Sequence, residues 1–205
     1  ELRPEKSTTA SWSINFHPAS IPGISLEASL FRIRYRDRVL APIGNYAEAL
    51  SPSYSDVVIR NPTADQINTA LAATEFFFNS SGEVFEPANV AYLINNYVRN
   101  VASQKIDGID INLAYSASLG NGEIAANIGG SWIESKQKSS RDTAYFDLAG
   151  TAWHPPHLRM RGSLGWTDAS LELFAYTNFI GGVEDRRSNP HQDGGSMMTV
   201  DLSAG

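Results

Sequence analysis

The sequence predicts an all-β protein: an antiparallel sheet of long strands from a transmembrane β-barrel, with short helices in one long external loop. Two observations carry that prediction. Apolar and polar residues alternate over runs longer than a globular strand needs, each bounded by Gly, Pro, Asn, Asp or Ser. The connections between the runs alternate between short and long, as tight periplasmic turns and extended outer loops do in a barrel.

The strands are expected near residues 11–17, 24–39, 98–116, 122–137, 157–167, 170–180 and 197–204. In the first, Trp12, Ile14 and Phe16 alternate with Ser11, Ser13 and Asn15. The second changes parity, from Ile24, Leu26 and Leu30 to Phe31, Ile33 and Tyr35, and a bulge near Leu30 would reconcile its halves. The third sets Ile109, Ile111, Leu113 and Tyr115 against Asp110 and Asn112. The fourth sets Ile124, Ala126, Ile128, Gly130 and Trp132 against Glu123, Asn127 and Ser131, and the fifth sets Leu158, Met160, Gly162, Leu164 and Trp166 against Arg159, Arg161 and Ser163. Both faces of Leu171–Ile180 carry apolar residues, which leaves its orientation open. The last run alternates weakly through Val200 and Leu202.

Pro18–Gly23, Ser118–Asn121 and Thr167–Ser170 are short turns, whereas 41–97, 138–156 and 181–196 are long loops. The first long loop is expected to hold two helices. One starts at Asn61-Pro62 and carries Ile67, Ala70 and Leu71 to about Ala73; the other starts near Pro87, with Val90, Leu93, Ile94 and Tyr97 on one side. Aromatic residues fall near strand ends as two interfacial girdles would, Phe16, Tyr115 and Trp166 on the turn side, Tyr35 and Trp132 on the loop side.

Composition excludes several other classes. The chain has 205 residues, 42% of them hydrophobic, with a formal net charge of −6 and no cysteine. An acidic balance disfavours nucleic acid, which needs clustered Lys and Arg. Without cysteine there is no disulfide framework, thiolate metal site or thiol nucleophile. No apolar run approaches the roughly 20 residues of a spanning helix, so a membrane crossing would be made by strands.

Catalytic, cofactor and metal sites are not predicted. His154 and His157 flank two prolines with no Asp, Glu or Cys at a ligand spacing beside them, His17 sits at a turn and His191 in a polar loop. Asp107 and Asp110 are three apart in a strand and so point to opposite faces, which rules out shared acid–base work. Ser163 lies inside an alternating run and lacks the strand–turn–helix setting of a nucleophile elbow.

The ordered set of segments resembles a known family. SWSINFHPASIPGISLEASLFRIRYRDRV over 11–39, Asn61-Pro62-Thr63, YVRNVASQKIDGIDINLAY over 97–115, DLAGTAWHPPHLRMRGSLGW over 147–166 and TVDLSAG over 199–205 are similar to the C-terminal barrel part of TonB-dependent outer-membrane receptors. The resemblance implies the outer membrane of a Gram-negative bacterium and a barrel of about 22 strands around a plug. It implies active uptake of a scarce external ligand such as a ferric siderophore, a cobalamin or a carbohydrate, energised through TonB. No plug, TonB-contacting segment or closing strand is recognisable, so the expectation is a stretch of barrel wall with its outer loops. With two unpaired edges and a lipid-facing band, that stretch is expected to self-associate.

Given that reading, Arg32, Arg34, Arg159 and Arg161 are expected to face the interior and contact the plug or an anionic ligand, because a charge on the lipid side costs about 2–4 kcal/mol at the midplane. Loop aromatics Tyr46, Tyr54, Phe76, Phe77, Phe78, Tyr145 and Phe146 are expected to offer rigid contact area to a ligand. Two rivals are a soluble β-sandwich that binds glycans or protein surfaces and a hydrolase on antiparallel sheet. Strand length disfavours the first, and the want of a convergent nucleophile, base and oxyanion site disfavours the second.

Overall fold

A computed structural model describes residues 2–44, 46, 49–140, 142–186 and 190–205. In chain order it contains β1 (Lys6–Phe16), β2 (Ile24–Leu40), β3 (Val58–Arg60), α1 (Ala64–Ala72), β4 (Tyr92–Ile94), β5 (Arg99–Leu119), β6 (Gly122–Lys138), β7 (Phe146–Asp147), β8 (Leu158–Thr167), β9 (Glu172–Ile180), β10 (Val183–Asp185), β11 (Gln192–Gly194) and β12 (Met197–Ala204). The protein is mostly antiparallel sheet, and the sheet is open. Seven strands lie side by side in the order β1-β2-β5-β6-β8-β9-β12, with short β7 also paired to β6. Each long strand neighbours the one before it in sequence, because loops or turns return the chain beside the strand it has just left.

The chain divides into two compact units. One comprises residues 6–35, 104–137 and 145–205, and contains most of the sheet. Register fixes its two faces. Ile124, Ala126, Ile128, Gly130 and Trp132 of β6 pair with Trp166, Leu164, Gly162, Met160 and Leu158 of β8. Trp166, Leu164, Gly162 and Met160 in turn oppose Leu173, Ala175, Thr177 and Phe179 of β9, which oppose Ala204, Leu202, Val200 and Met198 of β12. With period 2, the intervening residues Asn127, Ser131, Arg159, Arg161, Ser163, Tyr176, Asn178, Thr199 and Asp201 occupy the other face. Register thus settles the orientation of 171–180: Leu173, Ala175 and Phe179 belong to the apolar face, Phe174 and Tyr176 to the polar one.

Two close approaches explain glycines inside these strands. A Cβ on Gly165 would lie 2.4 Å from the Phe174 ring, and one on Gly108 would lie 2.3 Å from the Phe31 ring, so each glycine makes room for an aromatic on the polar face.

Among the described residues of this unit, nothing covers the apolar face. Ile128 and Leu164 are each 51% exposed, and Trp132, Met160, Leu173, Val200 and Leu202 are also exposed. A sandwich needs a second sheet against this one, and among the described residues the other sheets are the three-residue pairs β3–β4 and β10–β11. No helix among the described residues is long and apolar enough to cross a membrane.

The second unit comprises residues 1–5, 36–103 and 138–144. It has its own core of Ile43, Ala49, Val57 and Val58, against which Tyr54 packs. Asn96 clamps Ile43, accepting from its N–H at 2.8 Å and donating to its C=O at 3.0 Å. Helix α1 starts at Ala64, two residues beyond Pro62, because Thr63 caps it in a capping box with Gln66, whereas Asn61 takes φ 49°.

Three sequence expectations are corrected here. The stretch after Pro87 is not a second α-helix but a 3-10 turn, Pro87–Asn89, followed by β4; its amides pair with β3 and leave no i→i−4 ladder. Strand β2 runs unbroken through Leu30. Its alternation therefore carries Phe31 onto Gly108, on the face of Asn112 and Asn127, and sends Arg32 and Arg34 to the opposite face with Asp107. Tyr35 shares the parity of Phe31 and so does not belong to the face that carries Trp132. The first strand starts at Lys6, earlier than its alternation reveals, since Lys6–Thr9 is polar throughout.

Candidate functional site

The long strands build two surfaces of opposite chemistry. On the apolar face, Ile124–Trp132 and Leu158–Trp166 are nine-residue stretches paired end to end, each with a tryptophan at one end. Nine to eleven tilted residues are what a strand needs to traverse a bilayer core. Toward the turns, a shallow groove of about 570 Å³ is lined by Leu119, Ile124, Leu164, Trp166, Leu173 and Leu202.

Toward the loops the same face changes abruptly to ion pairs. One step beyond Trp132, Glu134 Oε1 meets Lys136 Nζ at 2.7 Å. Asp107, one step beyond Ile109, accepts from Arg32 Nε at 2.9 Å and from Arg34 Nη2 at 2.8 Å. Asp147 lies 3.6 Å from Arg186 and 3.9 Å from Lys136. In the loop after β9, Arg186 Nε donates to Glu184 Oε2 at 2.6 Å and His191 Nδ1 lies 2.8 Å from Glu184 Oε1. The Arg186 bond, then the His191 contact, hold the Glu184 carboxyl below its ordinary range.

The turn side is pinned by one carboxylate. Asp168 accepts from the backbone N–H of Ser170 at 2.8 Å and of Leu171 at 2.9 Å, from Ser170 Oγ at 3.1 Å and from Asn121 Nδ2 at 2.8 Å. The Ser170 amide leads in holding its carboxyl below the usual carboxylate range.

The predicted site residues separate. The four arginines do not share a face: Arg32 and Arg34 belong with Asp107 on the side of the apolar set, while Arg159 and Arg161 stand on the polar side beside Asn178 and Ser131. The correction follows from parity, since the charges of β2 start where its apolar set stops. Tyr54 packs on the Ile43 core, and Tyr46 is 74% exposed with its hydroxyl 3.5 Å from Asn96 Nδ2. Tyr145 lies under Lys105, with Nζ 4.1 Å from its ring centroid, next to Phe146 in β7. Phe76, Phe77 and Phe78 line an apolar cavity of about 290 Å³ with Ile67, Leu71 and Phe85.

The histidines have local partners: His17 with Ser25, His154 with Thr151, His191 with Glu184, and His157 with the carbonyl of Ile133 while stacking on Trp132. Asp107 was not singled out in the sequence as an arginine partner. The available signal was that it shares parity with Ile109 but not its chemistry, as Arg32 does with Leu30.

No family model matches the chain, and no curated protein is similar to it at a significant level.

Proposed function

We propose that this chain forms part of the wall and outer loops of an outer-membrane β-barrel receptor of the TonB-dependent type, and so serves uptake of a scarce external ligand such as a ferric siderophore, a cobalamin or a carbohydrate. One observation carries the reading. A single sheet presents an uncovered apolar band with tryptophan at both ends, bounded toward the loops by ion pairs and backed by a polar face. In water such a band is an association liability; against acyl chains it is the contact surface of the fold. The polar face then lines a wet or plugged interior, and the unpaired outer edges of β1 and β12 are where further strands of a closed barrel would add.

The second unit fits an external loop domain with its own small core, and Tyr46 and Phe76 to Phe78 fit ligand contact there. No group in the chain is assigned a catalytic role.

The test uses fluorescence in vesicles. Variants retaining one tryptophan each, with the others changed to Phe, are reconstituted in phosphatidylcholine carrying brominated acyl chains. Trp132 and Trp166 are expected to be quenched by bromine and protected from aqueous iodide, with Trp153, which is 86% exposed, showing the reverse. Iodide quenching of Trp132 and Trp166 equal to that of Trp153 would remove the reading.

A further inference from the structure

Residues 61–98 hold Asp65, Glu75, Glu83 and Glu86 and no lysine or arginine. Arg60 and Arg99 border the stretch, and both are engaged elsewhere. Arg60 donates to the Leu50 carbonyl and lies over the Tyr92 ring at 5.6 Å, while Arg99 Nη2 donates to the Asn95 carbonyl at 3.1 Å. A ligand that enters this part of the second unit therefore meets a negative field.

The same stretch encloses the apolar cavity of about 290 Å³. Helix α1 supplies Ile67, Ala70 and Leu71, which helical spacing puts on one face. Beyond α1 the chain is tied by its own bonds. Phe77 and Phe85 pack with ring centroids 4.8 Å apart, and between them Asn79 Oδ1 accepts from the Ser81 N–H at 3.1 Å while Asn79 Nδ2 donates to the Glu83 carbonyl at 2.7 Å. That closed loop leaves Phe76 and Phe78, which also line the cavity, 81% and 74% exposed.

The lining narrows the chemistry of an occupant. Of the lining residues only Thr74 and Tyr97 carry polar side-chain atoms, and the Thr74 hydroxyl already donates to the Leu71 carbonyl at 2.8 Å. A saccharide would bury hydroxyls there without partners, at a cost for each. An anionic chelate would be repelled by the exposed carboxylates of the loop, since Glu75 stands between Thr74 and Phe76, and Glu83 and Glu86 lie on either side of Phe85. A ring system with a cationic substituent meets neither penalty. Its body displaces water from apolar walls, and its charge lies against aromatic faces and carboxylates.

We propose that the cavity between α1 and the Phe76–Phe85 loop binds a small molecule with an apolar ring body and a positive charge. That this molecule is the one taken up rests on the barrel-wall reading; the binding itself rests on the lining and the charge of residues 61–98.

The full chain in nonionic detergent micelles is titrated calorimetrically with 1-naphthylmethylammonium, with 1-naphthoate and with maltose, empty micelles serving as the reference. The ammonium is expected to bind about tenfold more tightly than the carboxylate on the same ring, and maltose is expected not to bind. High salt, or the Glu75→Gln/Glu83→Gln/Glu86→Gln variant, is expected to bring the two naphthyl affinities together. Ala70→Trp fills the cavity from α1 and is expected to weaken both about tenfold; if it does not fold, Phe78→Ser, at an exposed ring, is expected to weaken both about threefold. Four results would each overturn the site: no binding of the ammonium, naphthoate or maltose bound as tightly as the ammonium, an ammonium preference that survives the triple Gln change, or unchanged affinity in a folded lining variant. Bromine quenching of Trp132 and Trp166 reads the sheet and not this cavity, so failure of the barrel-wall reading and failure of the site are distinguishable.

Discussion

Asn127 donates from Nδ2 to Asn112 Oδ1 at 2.9 Å between β6 and β5, while its neighbour Ile128 turns the opposite way and stays half exposed. One peptide unit therefore separates a hydrogen-bonded polar face from an apolar face that stays exposed. In a bilayer, Ile128→Arg is expected to destabilise the sheet by about 2–4 kcal/mol, whereas Asn127→Arg loses little beyond one amide bond. Urea titration of vesicle-reconstituted variants measures both, and equal losses would contradict the assignment of faces.

Gly165 and Phe174 test packing on the polar side. Adding a side chain at Gly165 must displace the ring that lies over it, so Gly165→Val is expected to cost about 1–3 kcal/mol through overpacking. The shift in the same urea midpoint checks it, and a neutral result would mean that the ring moves freely.

The Asp107 cluster should contribute modestly, since Arg32, Arg34 and Asp107 side chains remain 60%, 28% and 37% exposed. Arg34→Gln is expected to cost about 1 kcal/mol or less, and the loss should shrink in high salt. A salt-independent loss of several kcal/mol would indicate a buried network instead.

The turn carboxylate sets a pH dependence. Asp168 has a folded pKa below its ordinary value near 3.8, so its stabilisation is complete above that value and is lost as pH falls through the lower folded one. Hydrogen exchange at the Ser170 and Leu171 amides should be slow at neutral pH relative to Asp168→Asn, with the difference vanishing in strong acid. Protection that persists unchanged in acid would show that the amides do not depend on the carboxylate.

Helix α1 offers a local check. Thr63→Ala removes the side-chain half of the capping box and is expected to cost about 1 kcal/mol, read as faster exchange at Gln66 and Ile67.

Legibility followed the number of paired neighbours that share a rule. Wherever a strand alternates cleanly, as in Gly122–Glu134 and His157–Trp166, sequence parity and register assign the same faces. In β2 the arginines do not mark the polar face: Arg32 and Arg34 end the apolar set on its own face, where they meet Asp107, so the parity change at Leu30 records a change of chemistry along one face and not an inserted residue. Phe174 and Tyr176 hid the polarity of β9, since their place over Gly165 and beside each other depends on a neighbouring strand. The three-residue pairs β3–β4 and β10–β11 are too short to show any period. Of the candidate site, the Arg159–Arg161 pair could be read from spacing, whereas the joining of Arg32 and Arg34 to Asp107 from another strand required coordinates.

The central claim concerns which residues of β6 meet lipid, and the chain has no cysteine of its own to confuse a scan. Single cysteines at residues 124 to 132 in vesicle-reconstituted protein are treated with a charged, membrane-impermeant maleimide. The account predicts alternation, with Ile124→Cys, Ala126→Cys and Ile128→Cys unreactive and Ala125→Cys, Asn127→Cys and Gly129→Cys labelled. Uniform labelling, or protection of the odd positions, would contradict it.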